Sequence, residues 1–138
     1  MSTLRFFDTN ILLYSVSTHP ADTAKRERAL TILAEADGAL SVQVLQEFYV
    51  QATRATRSDR LLHADAVDLI TGWTRFPVQE LTLTILNAAL EITAAHRLSY
   101  WDSAIIAAAH ALGCRELYTE DMNDGQRIAG VLIVNPFR

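Results

Sequence analysis

Four acidic residues stand far apart in the 138-residue chain, yet each adjoins an apolar segment: Asp8, Glu47, Asp102 and Asp121. Asp8 ends the run Arg5-Phe6-Phe7. Glu47 lies inside the pattern Val42-Gln43-Val44-Leu45-Gln46-Glu47-Phe48-Tyr49-Val50. Asp102 follows Tyr100-Trp101 and precedes Ser103-Ala104-Ile105-Ile106. Asp121 follows Glu116-Leu117-Tyr118-Thr119-Glu120. A carboxylate beside buried apolar chain is costly unless something cancels its charge. Acids that converge without partner lysines form the donor set of a hard divalent cation, which prefers oxygen ligands.

Each acid also has a plainer use. Asp8 before Thr9-Asn10 is suited to start a turn and cap the next helix. Ser99 and Asp102 have the spacing of a capping box, while Asp102 also shares a stripe with Ile105, Ile106 and Ala109 that faces a core. Glu47 could reach solvent from the edge of its apolar face. Asp121 has two neighbours, Glu120 and Asp124, able to take its place or to be solvated loop acids. The case for a site is the set of four.

The elements that must position them alternate between strand and helix. Leu4 to Phe7 reads as a short buried strand, and Ile11 to Val16 as a brief helix broken at His19-Pro20. Asp22 is placed to cap a second helix reaching Ala36, with Ala29, Leu30, Ile32 and Leu33 inward. Asp37-Gly38 is a turn signal, Ala39 to Ser41 a minimal strand, and Ser41 the cap of a helix to Arg54. A helix over His63 to Thr74 carries Leu62, Ala66, Leu69, Ile70 and Trp73 at helical spacing. Pro77 to Leu81 is extended. Thr82 caps a helix to His96, with Ile85, Leu86, Ala89, Leu90 and Ile92 inward. Ser99 caps Tyr100 to Leu112, closed by Gly113. Glu116 to Thr119 and Val131 to Val134 are strands, separated by a polar loop from Glu120 to Arg127. This alternation predicts an α/β fold in three layers, a short-stranded parallel sheet between helices, as one domain over residues 1–138. Sites in such sheets form at strand carboxyl ends and adjoining helix N-termini. Asp8 and Asp121 lie at the first, Asp102 at the second.

Composition narrows the function. Half the residues are hydrophobic, and glycine and proline are scarce, so a full core is expected without disulfides. The single cysteine, Cys114, reads as a small semi-buried thiol. The four histidines lack zinc-ligand spacing. No run approaches the roughly 20 apolar residues of a membrane span, and the first residues lack a signal peptide's apolar segment, which predicts a cytoplasmic protein. The net charge of −4 argues against a broad duplex-binding face. Eleven of the twelve basic residues are arginine, a bias that codon usage also produces. Arg54, Arg57 and Arg60 nevertheless cluster beyond the Glu47 helix.

Four segments together resemble the motifs of the PIN-domain family, in order and spacing and over nearly the whole chain. They are Phe6-Phe7-Asp8-Thr9-Asn10-Ile11-Leu12, Val44-Leu45-Gln46-Glu47-Phe48-Tyr49, Tyr100-Trp101-Asp102-Ser103-Ala104-Ile105 and Leu117-Tyr118-Thr119-Glu120-Asp121-Met122. The size is similar to that of VapC-like ribonuclease toxins of toxin–antitoxin pairs. The resemblance implies a metal-dependent endoribonuclease with Asp8, Glu47, Asp102 and Asp121 as catalytic acids and ligands to one or two Mg²⁺ or Mn²⁺ ions, and Asp124 as an extra acid. It implies Thr9, Asn10, Ser103 and Thr119 as polar residues around that site. It implies hydrolysis by metal-activated water that leaves a 5′-phosphate and a 3′-hydroxyl. It further implies a homodimer and a cognate antitoxin that inserts a basic side chain into the acidic cleft. Arg54 and Arg57 are candidates to hold the RNA backbone.

Two other acid-bearing folds do not fit. A haloacid-dehalogenase-type phosphatase needs a second acid two residues after Asp8, where Asn10 stands. A receiver domain needs a late lysine, and the only lysine is Lys25. A PIN nuclease of RNA maturation without an antitoxin, and a non-catalytic interaction module with structural metal, stay open at this stage.

Overall fold

A computed structural model describes residues 4–138. The first strand, β1 (Arg5–Phe7), sits at the centre of the sheet. Its flanks are β2 (Gly38–Ser41) on one side and β4 (Glu116–Tyr118) on the other, both parallel to it. Beyond β2 lies β3 (Val78–Gln79), and beyond β4 lies β6 (Val131–Val134), also parallel. The outermost strand is β5 (Arg127–Ile128), antiparallel to β6, which gives the order β3-β2-β1-β4-β6-β5. Phe6 and Phe7 are fully buried, as a central strand covered on both faces requires.

Parallel neighbours need long crossovers, and the first three connections are each built on a pair of helices, while β4 reaches β6 through a loop and β5. From β1 to β2 run α1 (Thr9–Val16) and α2 (Thr23–Ala34). From β2 to β3 run α3 (Val42–Ala52) and α4 (His63–Trp73). From β3 to β4 run α5 (Leu83–His96) and α6 (Tyr100–Ala111). Sequence sets most of these starts. The Ser41, Thr82 and Ser99 hydroxyls accept from the N–H groups of Val44, Ile85 and Asp102 at 3.2, 3.1 and 3.1 Å. No helix among the described residues is long and apolar enough to cross a membrane.

Four expectations are corrected. Asp22 does not cap α2. It closes a 3-10 turn, Pro20–Asp22, so its backbone is not extended as a cap requires, and its carboxylate accepts from the Ser17 hydroxyl at 2.7 Å. The sheet is not wholly parallel, because Arg127–Ile128 folds back on β6. The turn is Ala129-Gly130, both at positive φ, and a two-residue strand ending a polar loop carries no periodicity to read. Leu30, Leu86 and Leu90 are exposed rather than inward. On α5, neighbouring elements cover Ile85, Ala89 and Ile92 and leave the adjacent row uncovered. Cys114 is buried rather than half-buried. Gly38 is required by packing, since a Cβ there would lie 2.4 Å from the Phe7 ring.

Candidate active site

Asp8 is the single residue between β1 and α1. Its N–H still pairs with the β4 carbonyl of Tyr118 at 3.0 Å, so its carboxylate is fixed where β1 and β4 end. One oxygen accepts from the Thr9 N–H at 2.7 Å, and the other from the Thr119 hydroxyl at 2.7 Å. The capping expected of Asp8 is thus observed, with one carboxylate oxygen on the Thr9 N–H. Asp8 is only 4% exposed. Burial pushes its carboxyl up to about 6, with repulsion from Asp121 and Glu47 adding and the two hydrogen bonds opposing.

Thr119 is the joint of the arrangement. Its fully buried hydroxyl donates to Asp8 and accepts from the Asp121 N–H at 3.1 Å and the Asn10 amide at 3.3 Å. That uses its one proton and both lone pairs. Asn10 also donates to the Asp121 carboxylate at 3.1 Å. Its own Oδ1 is buried without a hydrogen-bond partner.

Glu47 arrives from the middle of α3. The Thr9 hydroxyl donates to one of its oxygens at 2.8 Å, and the Gln43 amide to the other at 3.1 Å. Gln43 lies one turn earlier on the same helix and also donates to the Trp101 carbonyl at 3.1 Å. That bond locks the Glu47 helix to the start of the Asp102 helix. The sequence reading missed Gln43, although its spacing four residues before Glu47 was a visible signal. Asp102 lies in the first turn of α6. Burial raises its carboxyl, the Ser99 hydroxyl opposes, and the charges of Asp121 and Glu47 raise it further. The four acids therefore come from four elements to one sheet edge and feel one another.

The other expected residues lie elsewhere. The Ser103 hydroxyl accepts from Thr93 at 2.8 Å, which ties α6 to α5 and leaves it off the acids. Glu120 turns away to Lys25 at 2.8 Å and to the Tyr14 hydroxyl. Asp124 accepts from the Asn135 N–H at 2.8 Å and faces Arg138 at 3.7 Å. Of the three loop acids, only Asp121 joins the cluster. Arg57 is paired with Asp59 at 2.9 Å, and Asp59 accepts from the Thr18 N–H just past the end of α1. Asp8 is at that helix's start, so the Arg57–Asp59 pair is tied to the opposite end of α1, about 12 Å of helix from Asp8.

None of the ion pairs among the described residues involves Asp8, Glu47, Asp102 or Asp121. Their partners are neutral hydroxyls, amides and N–H groups. Such a set of hard oxygen donors with uncompensated charge fits a divalent cation by its chemistry. Among the described residues, no three of its acids are already drawn together closely enough to hold one.

The fold and this edge define an α/β protein with a carboxylate site at the ends of its two central strands. The chain belongs to the PIN-domain family, whose model matches residues 5–130. No curated protein sequence matches it. The fold is that of several solved structures. One is a toxin–antitoxin complex from Klebsiella pneumoniae, with TM-score 0.71, 22% identity and coverage of 96% of this chain and 97% of that one. Another is VapC20 from Mycobacterium tuberculosis, a sarcin–ricin-loop-cleaving toxin, at 0.65 and 21% over 85% and 91%. A third is DNA-bound VapBC from Salmonella typhimurium, at 0.63 and 18% over 94% and 96%.

Proposed function

We propose that this protein is a metal-dependent endoribonuclease acting as the toxin of a cytoplasmic toxin–antitoxin pair. The observation that carries the reading is the cluster itself: four carboxylates from four elements, one of them buried with its carboxyl raised to about 6, and no basic partner. The toxins among the structural neighbours support the biological half of the proposal.

Asp8, Glu47, Asp102 and Asp121 would hold one or two Mg²⁺ or Mn²⁺ ions. When bound, the metal supplies Lewis-acid activation of water and of the scissile phosphate. The chain's own part is positional. Thr119 and the Thr9 N–H hold Asp8, the Thr9 hydroxyl and Gln43 hold Glu47, and Asn10 holds Asp121. These neutral donors keep mutually repelling acids within reach without cancelling their charge. No side chain need form a covalent bond to phosphorus, and the family likeness implies products with a 5′-phosphate and a 3′-hydroxyl.

The proposed partners follow from the same charge. An antitoxin segment bearing Arg or Lys would close the acidic edge. A second copy of the chain has an apolar surface available near Tyr49, a groove of about 470 Å³ lined by Val42, Leu45, Tyr49, Val50 and Ile70.

The test is RNA cleavage with Mg²⁺ or Mn²⁺ by wild type, Asp8→Ala and Asp102→Ala. Cleavage should vanish in both variants, and undiminished cutting by either would remove that acid from the site. Growth arrest on expression, relieved by a small neighbouring gene, is expected of a toxin. Cleavage without such arrest would favour a maturation nuclease, and metal binding without cleavage a structural role.

A further inference from the structure

The loop after β4 presents three acids within five residues, and only the middle one serves the cluster. Residues 119–126 have no regular structure and Asp121 itself is exposed. A loop segment without ladder pairing owes its order to anchors. Asp121 has two on the site side, its N–H on Thr119 and its carboxylate under Asn10. A third and stronger anchor grips the residue before it.

Glu120 is held by groups from two separate helices. Lys25 on α2 sets its ammonium 2.8 Å from one Glu120 oxygen, and Tyr14 on α1 donates its hydroxyl to the other. The same ammonium donates to the Tyr14 hydroxyl at 3.3 Å. It also lies 4.9 Å from the centre of the Tyr14 ring and 5.8 Å from that of Phe137. Those two rings meet edge to face at 5.1 Å. Asp124, on the far side of Asp121, is pinned by the Asn135 N–H of the same C-terminal segment.

We propose that Lys25, the only lysine in the chain, is a positioning residue for Asp121: seated against the Tyr14 and Phe137 rings, it holds Glu120 and so aims the next side chain at the acid cluster. Fixing one of two adjacent side chains fixes the peptide between them, and so the direction of the other. The clasp also settles which loop acid serves. Left free beside an uncompensated cluster, Glu120 could compete for the place of Asp121. A compact ammonium suits the task because it satisfies a carboxylate, a hydroxyl and two ring faces at once.

The inference rests on the nuclease reading for what the cluster is for, but its test does not need catalysis. The measurement is Mn²⁺ affinity by calorimetry at neutral pH for wild type, Lys25→Met, Lys25→Arg and Tyr14→Phe. Electrostatics alone predicts that removing a positive charge near the acids tightens Mn²⁺ binding. Loss of positioning predicts the opposite. Lys25→Met should weaken binding about tenfold, the low end for a residue that acts through a ligand. Lys25→Arg, which keeps charge and ring contact, should recover it to within about threefold. Tyr14→Phe removes one anchor with no change in charge and should weaken binding in the same direction by roughly threefold. The Lys25 side chain is 42% exposed, and methionine keeps its apolar stem, so the variant is expected to fold. If it does not, Tyr14→Phe decides.

Affinity equal to or tighter than wild type in both Lys25→Met and Tyr14→Phe overturns the inference. Wild type that binds Mn²⁺ but cuts no RNA overturns the nuclease reading alone, and the affinities still decide the role of Lys25. Wild type that binds no Mn²⁺ overturns both.

Discussion

The two ends of β1 and β4 gather similar numbers of acids and treat them in opposite ways. At the start of the strands, Arg5 meets Glu35 at 3.1 Å, Asp37 at 3.0 Å and Glu116 at 3.8 Å. Arg5 and Glu116 are direct partners across the sheet. Three residues along, at the other end, Asp8 stands with Glu47, Asp102 and Asp121, and neutral donors do the holding. A cavity of about 600 Å³ opens at the Arg5 end, lined by Arg5, Asp37, Arg115, Glu116 and Arg127 among others. Size alone would draw attention there. Charge points the other way: the acids at the Arg5 end are matched by arginine, and those at the Asp8 end carry the uncompensated charge that the proposed cation would offset.

That contrast can be broken first at Asp8. Asp8→Asn should lower metal-dependent RNA cleavage by at least about a hundredfold, more than the loss of a merely orienting group. In metal-free protein the same residue should oppose stability. Its folded carboxyl titrates at about 6 and its ordinary value is 3.8, so between these values the folded state binds the extra proton. Stability from this group is therefore greatest below about 4 and falls as pH rises through about 6, by on the order of 3 kcal/mol. Urea unfolding of wild type and Asp8→Asn across that range checks it. Equal slopes in the two proteins would contradict the buried, repelled carboxylate.

The opposite end should answer in stability and not in activity. Arg5→Met removes the cation that three acids share and should lower the unfolding free energy by roughly 1–3 kcal/mol. Cleavage per folded molecule should be unchanged. A drop in turnover by folded protein would show that the two ends are not separable. A smaller effect is expected at Gln43. Gln43→Leu frees Glu47 and unlocks α3 from α6, and should reduce cleavage about tenfold with little change in melting temperature. Smallest of all, Asp124→Asn should keep cleavage within about twofold, because its carboxylate caps the Asn135 N–H and does not face the cluster. A large loss there would return Asp124 to the site.

Much of the fold was legible before any coordinates. The three hydroxyl caps, the central Phe6-Phe7 strand and the alternation of strand and helix all depend on local chemistry within a few residues. What failed was non-local or too short. Strand β5 exists because β6 is there to pair with it. Leu86 and Leu90 look inward by periodicity, and whether they are covered depends on how far a neighbouring helix extends. Asp22 has a cap's chemistry, but the proline two residues before it sets a 3-10 turn.

The same division holds for the site. The sequence by itself determined which residues could act: Asp8, Glu47, Asp102 and Asp121, their apolar settings and the absence of lysine partners near them. It left the surroundings of Glu120, Asp121 and Asp124 undistinguished, since three acids in one loop are equivalent to any local rule. Only the tertiary structure sets them apart, because Lys25, Tyr14 and Asn135 lie remote in the chain and bind two of the three, while Asn10 holds the other. It also decided that Ser103 bonds to Thr93, that Arg57 is committed to Asp59, and that Gln43 joins two helices. Residue type sets what chemistry is available, and long-range contacts set where each charge is spent.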